Sequence, residues 1–185
     1  MLKALIFDLD DVLIKSMRAH AKAYQKVLAE FGINVTVEQY LQYTGSTGKD
    51  ILQKISKQRA KDLDVEQIHK RKKEIFPDFA GEIVRIEGTI ALVKALKGKL
   101  RMALATSSSR ASLAVTLSRI SDITDCFEVI ITGEDVEKGK PDPEVFLKAA
   151  ETLGVEPEEC LVFEDSDVGI EAAEKAGMKA IKVSV

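Results

Sequence analysis

The sequence predicts an α/β fold: a Rossmann-like three-layer core on a mainly parallel five-stranded sheet, with an all-helical subdomain inserted after the first strand. Three observations predict it. Short apolar runs suited to buried strands alternate with helical patterns through the second half of the chain. A block with no strand pattern interrupts that alternation directly after the first run. Acidic, hydroxyl and basic residues stand just past the ends of the strand runs, where open α/β sheets bind ligands.

The first strand is the apolar run 2–6, leading into Phe7-Asp8-Leu9-Asp10-Asp11-Val12-Leu13. An apolar run this short, bounded by acids, suits a buried strand whose C-terminal end opens to solvent. Further strands are expected at 101–105, 129–132, 160–163 and 180–183, and helices at 90–96, 109–117, 143–153 and 168–176. Gly154 and Gly177 stand where C-terminal caps belong, and Pro143 and Pro157 where helices begin.

Residues 17–31 read as a long amphipathic helix closed by Gly32, and 37–43, 50–58 and 65–76 continue helically. The expected division is a core of residues 1–15 and 84–185 and a helical cap of residues 16–83. The return linker is expected to run through Pro77-Asp78-Phe79-Ala80-Gly81. Lys70-Arg71-Lys72-Lys73 reads as the solvated face of the last cap helix.

Across its 185 residues the chain is 45% apolar and 31% charged, enough for a proper core and a soluble surface. A net charge of −3 offers no electrostatic footprint for nucleic acid or an anionic membrane. The apolar start is too short for a signal peptide, and no stretch approaches a membrane span. Cys126 and Cys160 lack metal-binding spacing and are expected to be buried and reduced, as in the cytoplasm. A monomer is the default expectation.

Two acids on one turn, Asp8 and Asp10, suit a hard cation or a nucleophile partnered by a general acid; an acidic surface loop would look the same. Thr106-Ser107-Ser108-Ser109 is either an anion cradle or a plain helix cap. Lys138-Gly139-Lys140-Pro141 places a cation on a rigid turn, or two solvated lysines. Glu164-Asp165-Ser166-Asp167 is a second acidic strand end, or a capped helix start. Their recurrence at four expected strand ends favours a single site over four coincidences.

These clusters resemble the haloacid dehalogenase superfamily, in its branch of β-phosphoglucomutase-like proteins and small-molecule phosphatases. The segments that carry the resemblance are FDLDDVL at 7–13, LATSS at 104–108, GKPDPEVF at 139–146 and VFEDSDVGIEAAEKAGM at 162–178. The resemblance implies Asp8 as nucleophile, Asp10 as general acid/base, Thr106 and the Ser107 N–H at the transferring phosphoryl group, and Lys140 balancing charge. It implies Mg²⁺ held by Asp8, Asp10, Glu164 and Asp165. Ser107, Ser108, Ser16, His20, Gly45, Thr47 and Lys49 are expected at the phosphate or substrate. The physical case is independent: a carboxylate and a dianionic phosphate repel, so a cation must neutralise their encounter.

The insert resembles that family's mobile cap, with Ser16 near the hinge. The turn Gly45-Ser46-Thr47-Gly48 reads equally as a helix cap or an anion-binding loop, and His20 as a solvated or a site histidine. Several positions depart from the β-phosphoglucomutase pattern. Gly48 stands where an arginine is usual, a cap lysine is missing with Asp78 near its place, Asp11 replaces a glycine, and Lys15 an acid. The chain ends at Val185, where similar proteins continue with another helix. Loss of fixed cap cations favours a phosphatase for a small phosphorylated metabolite over a sugar phosphomutase. A phospho-accepting receiver domain is the third reading, opposed by the insert and by an acceptor aspartate on the first strand.

Overall fold

The structure, a computed structural model, describes residues 1–43, 48–60 and 62–184. Its elements in chain order are β1 (Ala4–Phe7), β2 (Ile14–Lys15), α1 (Met17–Glu30), α2 (Val37–Leu41), α3 (Gly48–Arg59), α4 (Val65–Ile75), β3 (Val84–Arg85) and α5 (Glu87–Leu96). They continue with β4 (Arg101–Ala105), α6 (Arg110–Leu117), β5 (Val129–Ile131), α7 (Glu144–Leu153), β6 (Cys160–Glu164), α8 (Asp167–Lys175) and β7 (Lys179–Lys182). The expected strands and helices are all present, most shifted by one to three residues at an end.

Five strands form one parallel sheet in the order β5-β4-β1-β6-β7. The chain builds outward from β1 on one side, then crosses to the other, so the switch point lies at β1. The register aligns Phe7 with Leu104 of β4 and Phe163 of β6. Residues just beyond β1, β4 and β6 therefore emerge on the same edge of the sheet. The ring of Phe7 stacks on Phe163 with centroids 4.7 Å apart, filling the layer beneath that edge.

Alternation along β1 divides the core. Leu5 and Phe7 face a cluster with Ile90 and Val93 of α5 and Leu113 of α6. Ala4 and Ile6 face a cluster with Val145, Phe146 and Leu153 of α7 and Ala172 of α8. Helices on both faces explain why the strands read as unbroken apolar runs. Each buried residue of Leu or Phe size contributes ~1.5–3 kcal/mol. The helix α7 ends at Gly154 with φ 66°, a left-handed cap that lets the Val155 N–H bond the Ala150 carbonyl at 3.0 Å.

The inserted helices hold a core of their own, built from Tyr24, Val27 and Leu28 of α1, Tyr40, Leu52, Ile55 and Ile68. The helix α1 belongs to both bodies, since Ala19 and Ala23 pack into the sheet's cluster. Two features depart from the expected layout. The return segment is a 3-10 helix over Phe76–Glu82 with Phe76 fully buried, not an open linker. Beyond it, β3 pairs antiparallel with β2, tying together the two chain crossings between cap and core. Pairs of two-residue strands carry too little hydrophobic pattern to be read from sequence. No helix of the described residues is long and apolar enough to cross a membrane. Both cysteines are buried and free.

Candidate active site

The peptide N–H of Asp8 extends the β1 ladder by bonding the Phe163 carbonyl at 2.9 Å. Immediately after it the chain folds into a tight turn, with the Leu13 and Ile14 N–H groups bonding the Leu9 carbonyl at 3.0 and 3.2 Å. Asp11 sits in this turn at φ 56°, a left-handed conformation that aspartate tolerates and glycine adopts freely, so the turn geometry accounts for either residue there. The turn gives the two acids different partners. Asp8 points to a buried lysine, whereas Asp10 points to hydroxyls.

Lys140 reaches in from the loop before α7 and donates 2.6 Å bonds to both Asp8 Oδ1 and Glu164 Oε2. All three side chains are nearly inaccessible, at 4%, 7% and 2% exposure for Lys140, Asp8 and Glu164, so the charges act through little water. Burial works against the Lys140 charge, yet Asp8 and Glu164 hold its pKa above the usual lysine range. Burial raises the Asp8 carboxyl well above its ordinary value despite Lys140, and Glu164 and Asp10 add to the rise. Burial also opposes ionised Glu164, but Lys140 and the Ser166 bonds outweigh it and keep that carboxyl low. Glu164 Oε1 accepts from the Ser166 hydroxyl at 2.7 Å and from the Asp165 and Ser166 N–H groups.

Asp8, Glu164 and Asp165 offer carboxylate oxygens all within 4.8 Å of one another. Asp165 is pushed up to about 7 by burial and then by the charge of Glu164. An all-oxygen donor set of crowded, partly buried carboxylates fits a hard divalent cation such as Mg²⁺. The Asp10 carboxylate stands outside this set, unlike the four-acid grouping expected. Its Oδ1 accepts from the Ser16 hydroxyl and its Oδ2 from the Ser108 hydroxyl at 2.9 Å.

The other expected residues, His20 apart, fall into three groups. Thr106, Ser107, Lys140 and Lys49 line one cleft of about 440 Å³ between core and cap. Ser16, fully buried at the start of α1, and Ser108 donate to Asp10 and do not line this cleft. Gly45 and Thr47 lie outside the described residues. Gly48 does line the cleft, and its α-carbon is pressed so close to Tyr24 that a Cβ would sit 2.2 Å from the Tyr24 hydroxyl. An arginine there would require Tyr24 to move. Asp78 pairs at the surface with Lys26, 4.0 Å away, and takes no part in the cleft.

The expected solvated face at residues 70–73 needs correction at one position. Lys72 is only 2% exposed. Its ammonium lies 2.7 Å from His20 Nδ1, 3.2 Å from Ser112 Oγ, and 3.8 Å from the centre of the Phe76 ring. The signal was present in the spacing, because Lys72 falls between Ile68 and Ile75 on the buried stripe of α4. Four consecutive basic residues masked it. Burial and then the Lys72 charge lower the His20 pKa well below its usual value, leaving a neutral ring. With Nδ1 accepting from Lys72, the hydrogen-bond network assigns the ring proton to Nε2, which lies 3.8 Å from Asp10 Oδ1. Sequence reasoning also missed the bond between Tyr24 and His69 Nδ1, 2.7 Å, and the ion pair of Lys73 with Glu134, 2.8 Å.

Fold and site together define a doubly wound α/β enzyme that gathers carboxylates, a lysine and hydroxyls at one sheet edge beneath a helical cap. The chain belongs to the haloacid dehalogenase-like hydrolases, whose family profile matches residues 5–183. It is 32% identical to fructose-1-phosphate phosphatase YqaB of Escherichia coli over 97% of this chain and 95% of that protein. It is 30% identical to a phosphorylated carbohydrates phosphatase of Thermotoga maritima over 97% of this chain and 84% of the relative. Among solved structures, CbbY of Rhodobacter sphaeroides in complex with phosphate superposes with a TM-score of 0.90 at 28% identity, covering 100% of this chain and 87% of that one. β-Phosphoglucomutase of Clostridium difficile superposes with a TM-score of 0.84 at 26% identity, covering 100% and 86%.

Proposed function

We propose that this enzyme is a Mg²⁺-dependent phosphatase that hydrolyses small phosphomonoesters of the sugar-phosphate kind through an aspartyl-phosphate on Asp8. The observation that carries this reading is the split between two acids of one turn. Asp8 sits against Lys140 in a buried carboxylate group suited to a cation, and Asp10 sits apart on two serine hydroxyls. One acid is thus equipped to attack and the other to handle a proton. The phosphatase names of two relatives that match nearly the whole chain support the reaction class, and their carbohydrate substrates support the kind of ester.

In the first half-reaction Asp8 attacks phosphorus, the phosphorus–oxygen bond to the substrate breaks, and Asp10 gives its proton to the leaving alkoxide. In the second, Asp10 takes a proton from water, the water oxygen attacks phosphorus, and the bond to Asp8 breaks to release inorganic phosphate. Lys140 offsets charge on Asp8 and the incoming phosphate, while Thr106 and Ser107 at the cleft floor hold the transferring group. Asp8, Glu164 and Asp165 would hold Mg²⁺, which when bound lowers the repulsion between carboxylate and phosphate.

Chelation of divalent cations is expected to abolish phosphate release from hexose monophosphates and p-nitrophenyl phosphate, and added Mg²⁺ to restore it. Equal turnover with and without chelator would overturn the metal requirement. Gly169 gives a finer test. A Cβ at this position in α8 would lie 2.0 Å from Glu164 Cδ, and that carboxylate is pinned by Lys140 and Ser166. Gly169→Ala is therefore expected to raise the half-saturating Mg²⁺ concentration by roughly 10–100-fold. An unchanged Mg²⁺ titration would remove Glu164 from the metal site.

A further inference from the structure

We propose that the ion pair between Lys73 of the cap and Glu134 of the core makes the cleft select phosphomonoesters with a neutral, hydroxylated far end and reject those carrying a second anionic group. This rests on the phosphatase reading above and names the feature of the site that narrows its substrates. The cleft has a phosphate end at Thr106, Ser107 and Lys140, and elsewhere its cap wall sets Gln53, His69 and Lys73 against Glu134 and Glu137 of the core.

The cap-side cations lining this cleft among the described residues already have anionic partners. Lys73 meets Glu134 at 2.8 Å, and Lys49 meets Glu66 at 2.6 Å. Arg110, near the same rim, is held by Asp135 and lies 4.0 Å from Glu134. His69 adds no charge near neutral pH, because burial and then the Lys73 charge bring its pKa down to about 4, and its Nδ1 is taken by Tyr24. A second phosphate or a carboxylate entering here would have to displace Glu134 from Lys73 and then face the Glu137 carboxylate. A sugar hydroxyl meets no such opposition. It can donate to either carboxylate, and it can accept from the Gln53 amide or the imidazole.

Removing Glu134 should therefore leave Lys73 and Arg110 open to an anion. The pair is solvent-exposed, with Lys73 at 30% and Glu134 at 40%, so its loss has little weight in stability. The test compares kcat/KM of the Mg²⁺-loaded enzyme for a hexose 1-phosphate and the matching 1,6-bisphosphate. Wild type is expected to favour the monophosphate, and Glu134→Gln to narrow that preference by roughly tenfold through the bisphosphate. Lys73→Met breaks the same pair but deletes the cation, and is expected to bring the bisphosphate no gain. An unchanged ratio in Glu134→Gln, with p-nitrophenyl phosphate still turned over by wild type, overturns this inference alone. Identical changes for every substrate in both variants overturn it too, in favour of a simple latch between cap and core. Absence of wild-type turnover on all three esters overturns the phosphatase reading and this inference together.

Discussion

Asp8→Asn is expected to lower Mg²⁺-dependent turnover of p-nitrophenyl phosphate by on the order of 10⁴-fold or more, with the far-ultraviolet circular dichroism unchanged. Asparagine keeps the shape of the side chain and can still accept from Lys140, so the packing under the sheet edge has no reason to change. It lacks the anionic oxygen that must form the bond to phosphorus. Its effect should exceed that of losing a positioning group, because the displacement has no other first step. Wild-type enzyme quenched with acid during a single turnover of labelled ester should carry a hydroxylamine-labile phosphoryl group, and the variant none. Retained turnover in Asp8→Asn would refute the covalent route and leave direct attack by water.

Lys72→Met is expected to move stability and activity in opposite directions. Burial lowers the Lys72 pKa from 10.5 to about 7; the Lys73 charge adds to the fall and Asp10 opposes it. Holding that charge at neutral pH costs on the order of 4–5 kcal/mol relative to water. Methionine escapes this cost but leaves His20 Nδ1 without its partner and takes one from Ser112 Oγ, which keeps the Ser109 hydroxyl, at about 2 kcal/mol in all. The net expectation at pH 7 is a gain of about 1–3 kcal/mol. Between pH 7 and 10.5 the unfolded chain holds the lysine proton and the folded protein does not, so this group makes stability rise with pH. The advantage of methionine should accordingly shrink between pH 7 and pH 10 in urea titrations. A constant difference would mean that Lys72 is not desolvated as its contacts imply.

The activity of Lys72→Met should fall by up to roughly 10²-fold. Without the lysine, nothing fixes the His20 tautomer that aims Nε2 at Asp10, and the acid loses part of its oriented surroundings. The fall should appear in kcat for esters whose leaving alkoxide needs a proton, and much less for p-nitrophenyl phosphate, whose phenolate leaves unaided. Equal losses on both would point to damaged packing rather than to proton handling.

Much of this was legible in the chain. Phe7 to Leu13, Thr106 with Ser107, Lys140, and Glu164 with Asp165 are each local signals, since an apolar strand followed by a polar turn is written in consecutive residues. The register of β4 and β6 on β1 then brings these turns to one edge. Contacts between cap and core were not legible. Lys72 to Ser112, Lys73 to Glu134 and Ser16 to Asp10 join residues 40, 61 and 6 positions apart, and no periodicity links them.

The sequence by itself determined the parallel sheet, the inserted helices and the acids that end the first and fourth strands of that sheet, because each depends on short-range pattern and on the rule that strand ends share a side. Only the tertiary structure decided which polar groups face which charges. It placed Asp8 against Lys140 and Asp10 against serines, buried one lysine of a basic run, and answered Lys49 and Lys73 of the cleft with carboxylates. Burial and distance set those pairings, and neither quantity exists until the strands have paired and the cap has folded down onto the core.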